Sequence, residues 1–279
     1  MAATTINKNT YEQVYNLSED EGLYSRVGLV ICILVQRGIL VAGFSISREL
    51  LTLHYTGYNK NRPVWDINFF EHLFSQEPLL TVREKVKGVF TCSNRNMIIP
   101  DSLYDEAEAK KWMRQIHFIE KKDIIESYHL EDDKANYVQA MPLSITELIK
   151  INFKKSVVLP MPIYQFSNTN KQSLYLQCCI TGDQVCGTLH NYSQLLWHKV
   201  FDYVCAEDIA YEIRQLCIEN NISPSKISLR CNALTAAEFD VVNELSQYFP
   251  GLRAGNGRSI SAKWDAAIYL AQQLYACVS

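Results

Sequence analysis

The sequence lacks a strong net charge. It contains 27 lysine and arginine residues and 30 aspartate and glutamate residues, which give a formal net charge of −3 at pH 7. Proteins that bind nucleic acid usually show a marked excess of basic residues. The composition therefore predicts no nucleic-acid partner. Apolar residues make up 48% of the 279 residues, which is enough to build the core of one large domain or of two smaller ones.

The sequence also lacks an uninterrupted apolar run that is long enough to cross a membrane. Residues 27–46 are rich in aliphatic side chains, but Gln36, Arg37 and Gly38 lie at their centre, where a spanning helix would carry polar groups into hydrocarbon. Aliphatic segments on both sides of such a break are typical of a buried hairpin. Residues 1–9 are polar and contain no apolar segment of a secretory signal. We therefore expect no membrane span and a cytoplasmic location.

Motifs of the common catalytic and metal sites are absent from the sequence. None of the nine cysteines belongs to a C-x-x-C pair, so we expect reduced, buried thiols instead of a zinc or redox site. The six histidines form neither an H-E-x-x-H motif nor a tight cluster with cysteines or carboxylates. There is no G-x-S-x-G elbow and no G-x-x-x-x-G-K-[ST] loop. We therefore assign no catalytic residue and no metal ligand.

What the sequence does contain is one structural pattern that occurs twice. In the first copy, residues 27–35 and 39–45 predict two strands joined by a tight turn. Residues 49–55 predict a third strand, and Asp66 predicts the N-cap of a following helix.

The second copy follows the same order in the C-terminal half of the chain. Apolar and polar residues alternate over 174–181, and Gly182 with Asp183 predicts a two-residue hairpin turn. A third strand is predicted at 195–201. Residues 207–217 then predict a helix with two acids at its positive N-terminus and one apolar face. The duplication predicts two similar α/β lobes.

A lobe boundary is predicted around Pro160, Pro162 and the polar run 167–172. The residue before a proline resists helix formation, and the polar run shows no apolar period. We predict an N-terminal lobe at 1–165, which carries an inserted α+β region at about 87–150, and a C-terminal lobe at 166–279.

Two residue pairs have the spacing of a helix capping box. They are Ser102 with Asp105 and Thr235 with Glu238, and each predicts the start of a helix. Near the C-terminus, residues 251–258 combine glycines with two arginines, as generic anion sites do. We interpret that segment as a flexible loop.

Three passages carry a resemblance to a known family: 97–104 (MIIPDSLY), Leu195-Leu196 with Phe201, and 207–211 (EDIAY). They resemble an uncharacterised bacterial family, described as a domain of unknown function, that adopts the actin-like ATPase fold. The resemblance runs from about Gly28 to the C-terminus. It implies an α/β, RNase H-like architecture with two duplicated lobes, each a mixed sheet flanked by helices. No activity is established for this family, so the resemblance implies a fold and no function.

The resemblance also implies where a nucleotide site would lie. In active members of the superfamily the first hairpin turn of each lobe carries a D-x-G-type motif, whose acid organises magnesium and whose glycine lets backbone N–H groups approach phosphates. Here the first turn, Gln36-Arg37-Gly38, has the glycine and lacks the aspartate. The second turn, Gly182-Asp183, has the two residue types in reversed order. These five residues are weak candidates for nucleotide binding.

Other positions depart from the superfamily pattern as well. Residues 230–234 read RCNAL where an adenosine-binding member would show a glycine pair. Asp183 is interpreted as a turn residue and Arg37 as part of a solvated hairpin tip. We therefore expect ATP hydrolysis to be absent or badly impaired, because neither a phosphate cradle nor a metal-holding carboxylate is recognisable.

The acidic trio Glu131-Asp132-Asp133 has two interpretations. RNase H-like nucleases, which share the distant fold, use clustered carboxylates to hold two metal ions. The trio here falls at the turn of a hairpin predicted over 124–141, outside the core strands. We interpret it as a solvated turn.

Two functional hypotheses follow. The first is a non-catalytic scaffold that has degenerate nucleotide motifs, needs no cofactor and binds a protein partner, as some pilus and secretion assembly proteins of this fold do by resemblance. The alternative is an ATP-dependent phosphotransferase or ATPase with an atypical site between the lobes. That enzyme would use ATP and magnesium at the five candidate residues.

Overall fold

The computed structural model describes residues 10–17, 22–166, 174–192, 194–254 and 262–279. These residues fall into two compact units, one within Met1–Cys92, Pro142–Met161 and Leu274–Ser279, the other within Ser93–Met141 and Pro162–Gln273. The predicted boundary run 167–172 and residues 255–258 of the glycine-bearing segment lie outside the described residues. The predicted lobe limits stay a prediction.

Fourteen strands and eight α-helices occur in the described residues. In the N-terminal part they are β1 (Thr10–Asn16), β2 (Leu29–Val35), β3 (Gly38–Phe44), β4 (Leu50–Tyr58), α1 (Ile67–Gln76), α2 (Pro78–Thr81), β5 (Val86–Thr91), β6 (Asn96–Pro100), α3 (Glu106–Ile116), β7 (Ile124–Leu130), β8 (Ala135–Met141), α4 (Leu143–Asn152) and β9 (Val157–Pro160). In the C-terminal part they are α5 (Ile163–Phe166), β10 (Tyr175–Thr181), β11 (Gln184–Asn191), β12 (Gln194–Asp202), α6 (Ala206–Glu219), β13 (Ser228–Ala233), α7 (Phe239–Tyr248), β14 (Arg253–Ala254) and α8 (Asp265–Ala276).

The first unit is built on a mixed sheet with the strand order β1-β4-β3-β2-β5-β9. Strands β2, β3 and β4 form the antiparallel meander that the sequence predicts, and β5 and β9 add parallel strands on the other side of β2. β2 consists of aliphatic residues and one cysteine and is almost wholly buried, as is typical of a strand that is covered on both faces. The segment Leu274–Ser279 completes this core, because Tyr275 stacks on Phe44 with ring centroids 4.5 Å apart.

The second unit contains a five-stranded sheet with the order β12-β11-β10-β13-β14. Its first three strands are antiparallel neighbours, and β13 and β14 run parallel to β10. In the first unit, the strands β4-β3-β2-β5-β9 lie side by side in the same arrangement and with the same relative directions. The predicted duplication is therefore confirmed at the level of sheet topology.

Helix α6 packs on this second sheet through the face that the sequence predicts. Ile209, Ile213 and Leu216 are buried in one apolar cluster with residues of β10 and β11. At the start of the helix the Asp208 carboxylate accepts hydrogen bonds from the N–H groups of Val204 and Cys205. These bonds lower the pKa of Asp208 below its usual range.

The second unit also contains a small antiparallel sheet, β6-β8-β7, with α3 packed on it. Strands β7 and β8 confirm the predicted hairpin. The predicted capping box at Ser102 is wrong, because Asp105 is the N-cap of α3 and accepts the Glu108 N–H at 3.0 Å. Ser102 instead lies in a 3-10 turn, Asp101–Leu103, which delays the start of the helix.

The packing of α6 yields a stability prediction. We expect Ile213→Ala to lower the free energy of unfolding by about 2–5 kcal/mol, because it removes buried methyl groups and leaves a cavity. Ile218 lies on the same helix and is 69% exposed, so Ile218→Ala is the matched control and should change stability by about 0.5 kcal/mol or less. Urea denaturation of both variants measures the difference, and equal losses would contradict this packing of α6.

Candidate functional site

The first hairpin turn, in the first unit, is covered by protein. Val35 pairs with Gly38, so Gln36 and Arg37 form the two-residue turn. The Gln36 carbonyl oxygen accepts hydrogen bonds from the Tyr58 hydroxyl at 2.8 Å and from the Trp65 N–H at 2.8 Å. Gln36 is 8% exposed and Arg37 is half-buried. The expected solvated tip is therefore wrong, because the segment that follows β4 folds over the turn.

Arg37 and Gly38 have structural roles in this turn. The Arg37 guanidinium donates from Nη1 to the carbonyl oxygen of Arg62 at 2.5 Å, which fastens the covering segment. A Cβ added at Gly38 would lie 2.5 Å from the Tyr55 hydroxyl oxygen and 2.9 Å from the Thr56 carbonyl oxygen. Strand β4 therefore approaches too closely for any side chain at position 38.

The second turn, in the second unit, has the geometry that the sequence predicts. Thr181 pairs with Gln184, and Gly182 adopts a φ of 60°, as the first residue of a type II′ turn does. The Tyr203 hydroxyl donates to the Gly182 carbonyl oxygen at 2.7 Å, and the Tyr203 N–H donates to the Asp183 carbonyl oxygen at 3.1 Å. Asp183 thus occupies a turn position, as interpreted from the sequence.

The sequence analysis did not identify the side chain that binds this turn. Glu238 accepts the Gly182 N–H at Oε1, 2.9 Å away, and accepts both the N–H and the hydroxyl of Thr235 at Oε2. The predicted capping box of Thr235 with Glu238 is confirmed, but its spacing gives no sign of the second contact, which spans 56 residues. Glu238 is 4% exposed, and this burial raises the pKa of its carboxyl group, partly offset by the hydrogen bonds.

The end of β13 is a buried polar position. Asn232 stands where the resemblance implied a glycine pair, and its side-chain amide donates to the Tyr164 hydroxyl at 3.0 Å. Ala233 is also buried, and the Leu234 N–H extends the pairing with β10 by donating to the Ile180 carbonyl oxygen at 2.8 Å. This strand end therefore presents packed side chains where a glycine pair would leave backbone open.

The groups described at these turns are joined to the rest of each unit by hydrogen bonds. Over the described ranges, no group of three or more histidine, cysteine, aspartate or glutamate residues has a geometry that holds a metal ion. None of the nine cysteines forms a disulfide, and seven of them are buried. A search of the same part of the chain finds no helix with the length and apolar character needed to cross a membrane. The five candidate nucleotide residues stay predictions.

The fold is shared with solved structures. A protein from Bacteroides thetaiotaomicron VPI-5482, of actin-like ATPase fold and unknown function, is similar with a TM-score of 0.70 and 13% sequence identity, over 90% of this chain and 99% of that chain. The PilM–PilN type IV pilus biogenesis complex is similar with a TM-score of 0.58 and 11% identity, over 91% of this chain and 99% of that chain. At these identities the similarities show the fold alone.

The sequence comparisons give the family. No curated protein matches the chain. A family model described as "Protein of unknown function (DUF3822)" matches residues 44–252, which is most of the sequence. The chain therefore belongs to this family of unknown function, as the resemblance implied, and it has the actin-like ATPase fold.

Proposed function

We propose that the chain is a non-catalytic scaffold of the bacterial cytoplasm that binds a protein partner and has lost the nucleotide chemistry of its fold. The observation that carries this proposal is the hydrogen bond from the Gly182 N–H to Glu238. In the fold's active members this turn offers its N–H groups to phosphate. Here a carboxyl group of the protein itself takes that place.

The strength of the Glu238 contact supports the proposal. Its two oxygens accept from three donors, and the group is buried, so a phosphate would have to displace an acceptor that is already held. Displacement would cost Glu238 the Gly182 N–H, one of its three donors, and an unsatisfied buried polar group costs about 1–3 kcal/mol. This cost disfavours phosphate binding at the second turn.

The first turn supports the proposal independently. It contains no carboxylate that would organise magnesium, and the segment after β4 covers it, because Tyr58 and Trp65 donate to the Gln36 carbonyl oxygen. The glycine at position 38 is required by the approach of Tyr55 and Thr56, so its presence needs no phosphate to explain it.

The protein partner and the location have separate support. One structure of similar fold is of a protein complex, PilM–PilN, so this architecture occurs in protein assemblies. The cysteines, mostly buried and free of disulfides, suit a reducing compartment such as the cytoplasm.

A thermal-shift measurement tests the loss of nucleotide binding. We expect magnesium with ATP, ADP or GDP at about 5 mM to leave the melting temperature unchanged, because only a ligand that binds the native state raises it by mass action. Magnesium with inorganic triphosphate at the same ionic strength is the control. A nucleotide-specific rise would contradict the scaffold proposal and favour the ATP-dependent enzyme, and loss of that rise in Asp183→Ala would place the nucleotide at the second turn.

The Glu238 contact is tested by stability. We expect Glu238→Gln to lower the free energy of unfolding by about 1–3 kcal/mol, because the amide has one acceptor oxygen for donors that now use two. Glu244→Gln, an exposed position on α7, is the matched control and should be nearly neutral. Chemical denaturation at pH 7 compares the two variants, and equal stabilities would remove the role given to Glu238.

The stability difference between the wild type and Glu238→Gln should depend on pH. The pKa of Glu238 is raised in the folded state, so the native protein holds this proton more tightly than the unfolded chain does. The stability of the wild type relative to Glu238→Gln should therefore be highest at low pH and should fall as the pH rises above about 4.3, the pKa of an unfolded-chain glutamate. Denaturation curves of both proteins between pH 4 and pH 8 measure this stability difference. A difference that grows with pH would contradict the raised pKa of Glu238.

Gly38 supplies a test of the first turn. We expect Gly38→Ala to cost about 1–3 kcal/mol of stability, because the new methyl group meets Tyr55 and the Thr56 carbonyl group. At Gly251 an added Cβ meets no atom within 4 Å, so Gly251→Ala is the control and should change stability by about 0.5 kcal/mol or less. If Gly38→Ala proves as harmless as the control, the glycine serves a ligand and not strand packing.

A further inference from the structure

A cavity of about 730 Å³ lies within the first unit, between its sheet and helix α1. The sheet contributes the β1–β4 pair, in which Glu12 stands opposite Thr56 and Val14 stands opposite His54. Small-molecule sites usually have volumes of about 300–1,000 Å³. The cavity is therefore large enough for a whole small molecule.

Helix α1 supplies an apolar floor and a polar rim on the other side of this cavity. Phe69 and Leu73 are buried residues of the helix that line it. Asn68, His72 and Gln76 follow one another at intervals of four residues, so they form one exposed ridge next to that floor. Apolar walls with a few polar groups at fixed places are typical of ligand sites.

Glu77 is a polar group that the protein holds in place at the cavity. Its Oε1 accepts hydrogen bonds from His54 Nδ1 at 3.1 Å and from the Leu79 N–H at 3.2 Å. The Tyr24 hydroxyl lies 2.9 Å from His54 Nε2 and fixes the imidazole from its other side. Oε2 accepts no hydrogen bond from the residues that the structure describes, and the side chain keeps 10% of its surface accessible. One oxygen of a positioned carboxylate is thus available to a donor on a ligand.

The charges around the cavity favour a cation. Glu12 lines it together with Glu77, is exposed and makes no ion pair within the described part of the chain. Arg62 is the one lysine or arginine among the described lining residues, and its Nε donates to Asp66 Oδ2 at 2.7 Å. Its guanidinium group also lies over the Phe69 ring, 5.7 Å from the centroid. An anionic ligand would therefore meet two carboxylates and no free lysine or arginine.

The cavity beside the acidic turn of the second unit is much smaller. Glu131 and Asp132 are exposed, as interpreted from the sequence. That interpretation is wrong for Asp133, whose side chain is 2% exposed and whose Oδ1 lies 3.5 Å from His190 Nε2. The cavity there measures about 150 Å³, below the volume of small-molecule sites, so we assign no ligand to it.

We propose that the cavity between the β1–β4 pair and α1 binds a small organic amine that is charged at neutral pH and has an apolar body. The ammonium group donates to Glu77 Oε2 and is attracted by Glu12. The apolar body lies against Leu73 and covers Val14, an apolar side chain that is 50% exposed. This site goes beyond the scaffold function, and none of the five candidate nucleotide residues lines it.

Methyl NMR of the full chain with labelled leucine and valine tests the site, with Leu73 and Val14 as reporters. We expect tryptamine to shift both signals saturably, with a Kd of about 0.1–2 mM, as suits a ligand of its size. Tryptophol and indole-3-propionate carry the same ring, with a hydroxyl and a carboxylate in place of the ammonium group. Each should bind at least about tenfold more weakly, because neither brings a positive charge to the carboxylates.

Variants of three glutamates locate the binding. Glu77→Gln keeps an acceptor oxygen for His54 and Leu79 but removes the charge, so it should weaken tryptamine binding about tenfold and leave tryptophol binding unchanged. Glu12→Gln alters an exposed side chain and should weaken tryptamine binding about threefold. Glu71→Gln makes the same charge change on α1 outside the cavity lining, so it is the matched control and should stay within about twofold of the wild type.

The proposal is overturned if tryptamine shifts neither reporter saturably, if either analogue binds as tightly, or if Glu77→Gln and Glu12→Gln bind tryptamine like the control. If Glu77→Gln does not fold, the three ligands with the wild type and the comparison of Glu12→Gln with Glu71→Gln still decide. These outcomes are separate from those of the nucleotide measurement, which concerns other residues.

Discussion

Buried backbone groups must have hydrogen-bond partners, and this requirement shapes both hairpin turns. In this protein the partners come from within each unit. Tyr58 and Trp65 bind the carbonyl group of Gln36, and Glu238 binds the N–H of Gly182. The Gly182 N–H, a donor of the kind that a phosphate requires, is thereby already bound by the protein itself. The chain has the actin-like ATPase fold, and the hydrogen bonds described at its two turns join residues of the protein itself.

Each unit satisfies the backbone groups of its central strand with a sheet of the same topology. A central strand, β2 or β10, has hydrogen-bond partners along both edges, because an antiparallel meander lies on one side of it and parallel strands lie on the other. The meander needs only a short turn, whereas the parallel strands arrive by longer connections. Those longer connections are where the units differ, since the chain leaves the first unit after β5, builds the small sheet of the second unit and then returns for α4 and β9.

Local sequence patterns predicted much of this architecture. Strand alternation and a Gly-Asp pair specify the second hairpin, and Asp66 is the N-cap of α1 because it accepts the Asn68 N–H. Strand β1 was not predicted, because its polar and apolar residues carry little period and its stability comes from pairing with β4. The contacts that define the sites were not predictable for a related reason. Neither Glu238 at the second turn nor Glu77 beside His54 follows from neighbours in the sequence, since both pairings join distant segments.

The interleaving of the two units along the chain has a consequence for biosynthesis. The first unit draws on Met1–Cys92, Pro142–Met161 and Leu274–Ser279, so its core receives Tyr275 only when almost all of the second unit has been made. Domains generally fold in order as they leave the ribosome. Here the N-terminal meander is synthesised long before Tyr275, the residue that stacks on Phe44. Neither unit is one continuous segment of the chain, so neither could be excised or fused to another protein as a single fragment.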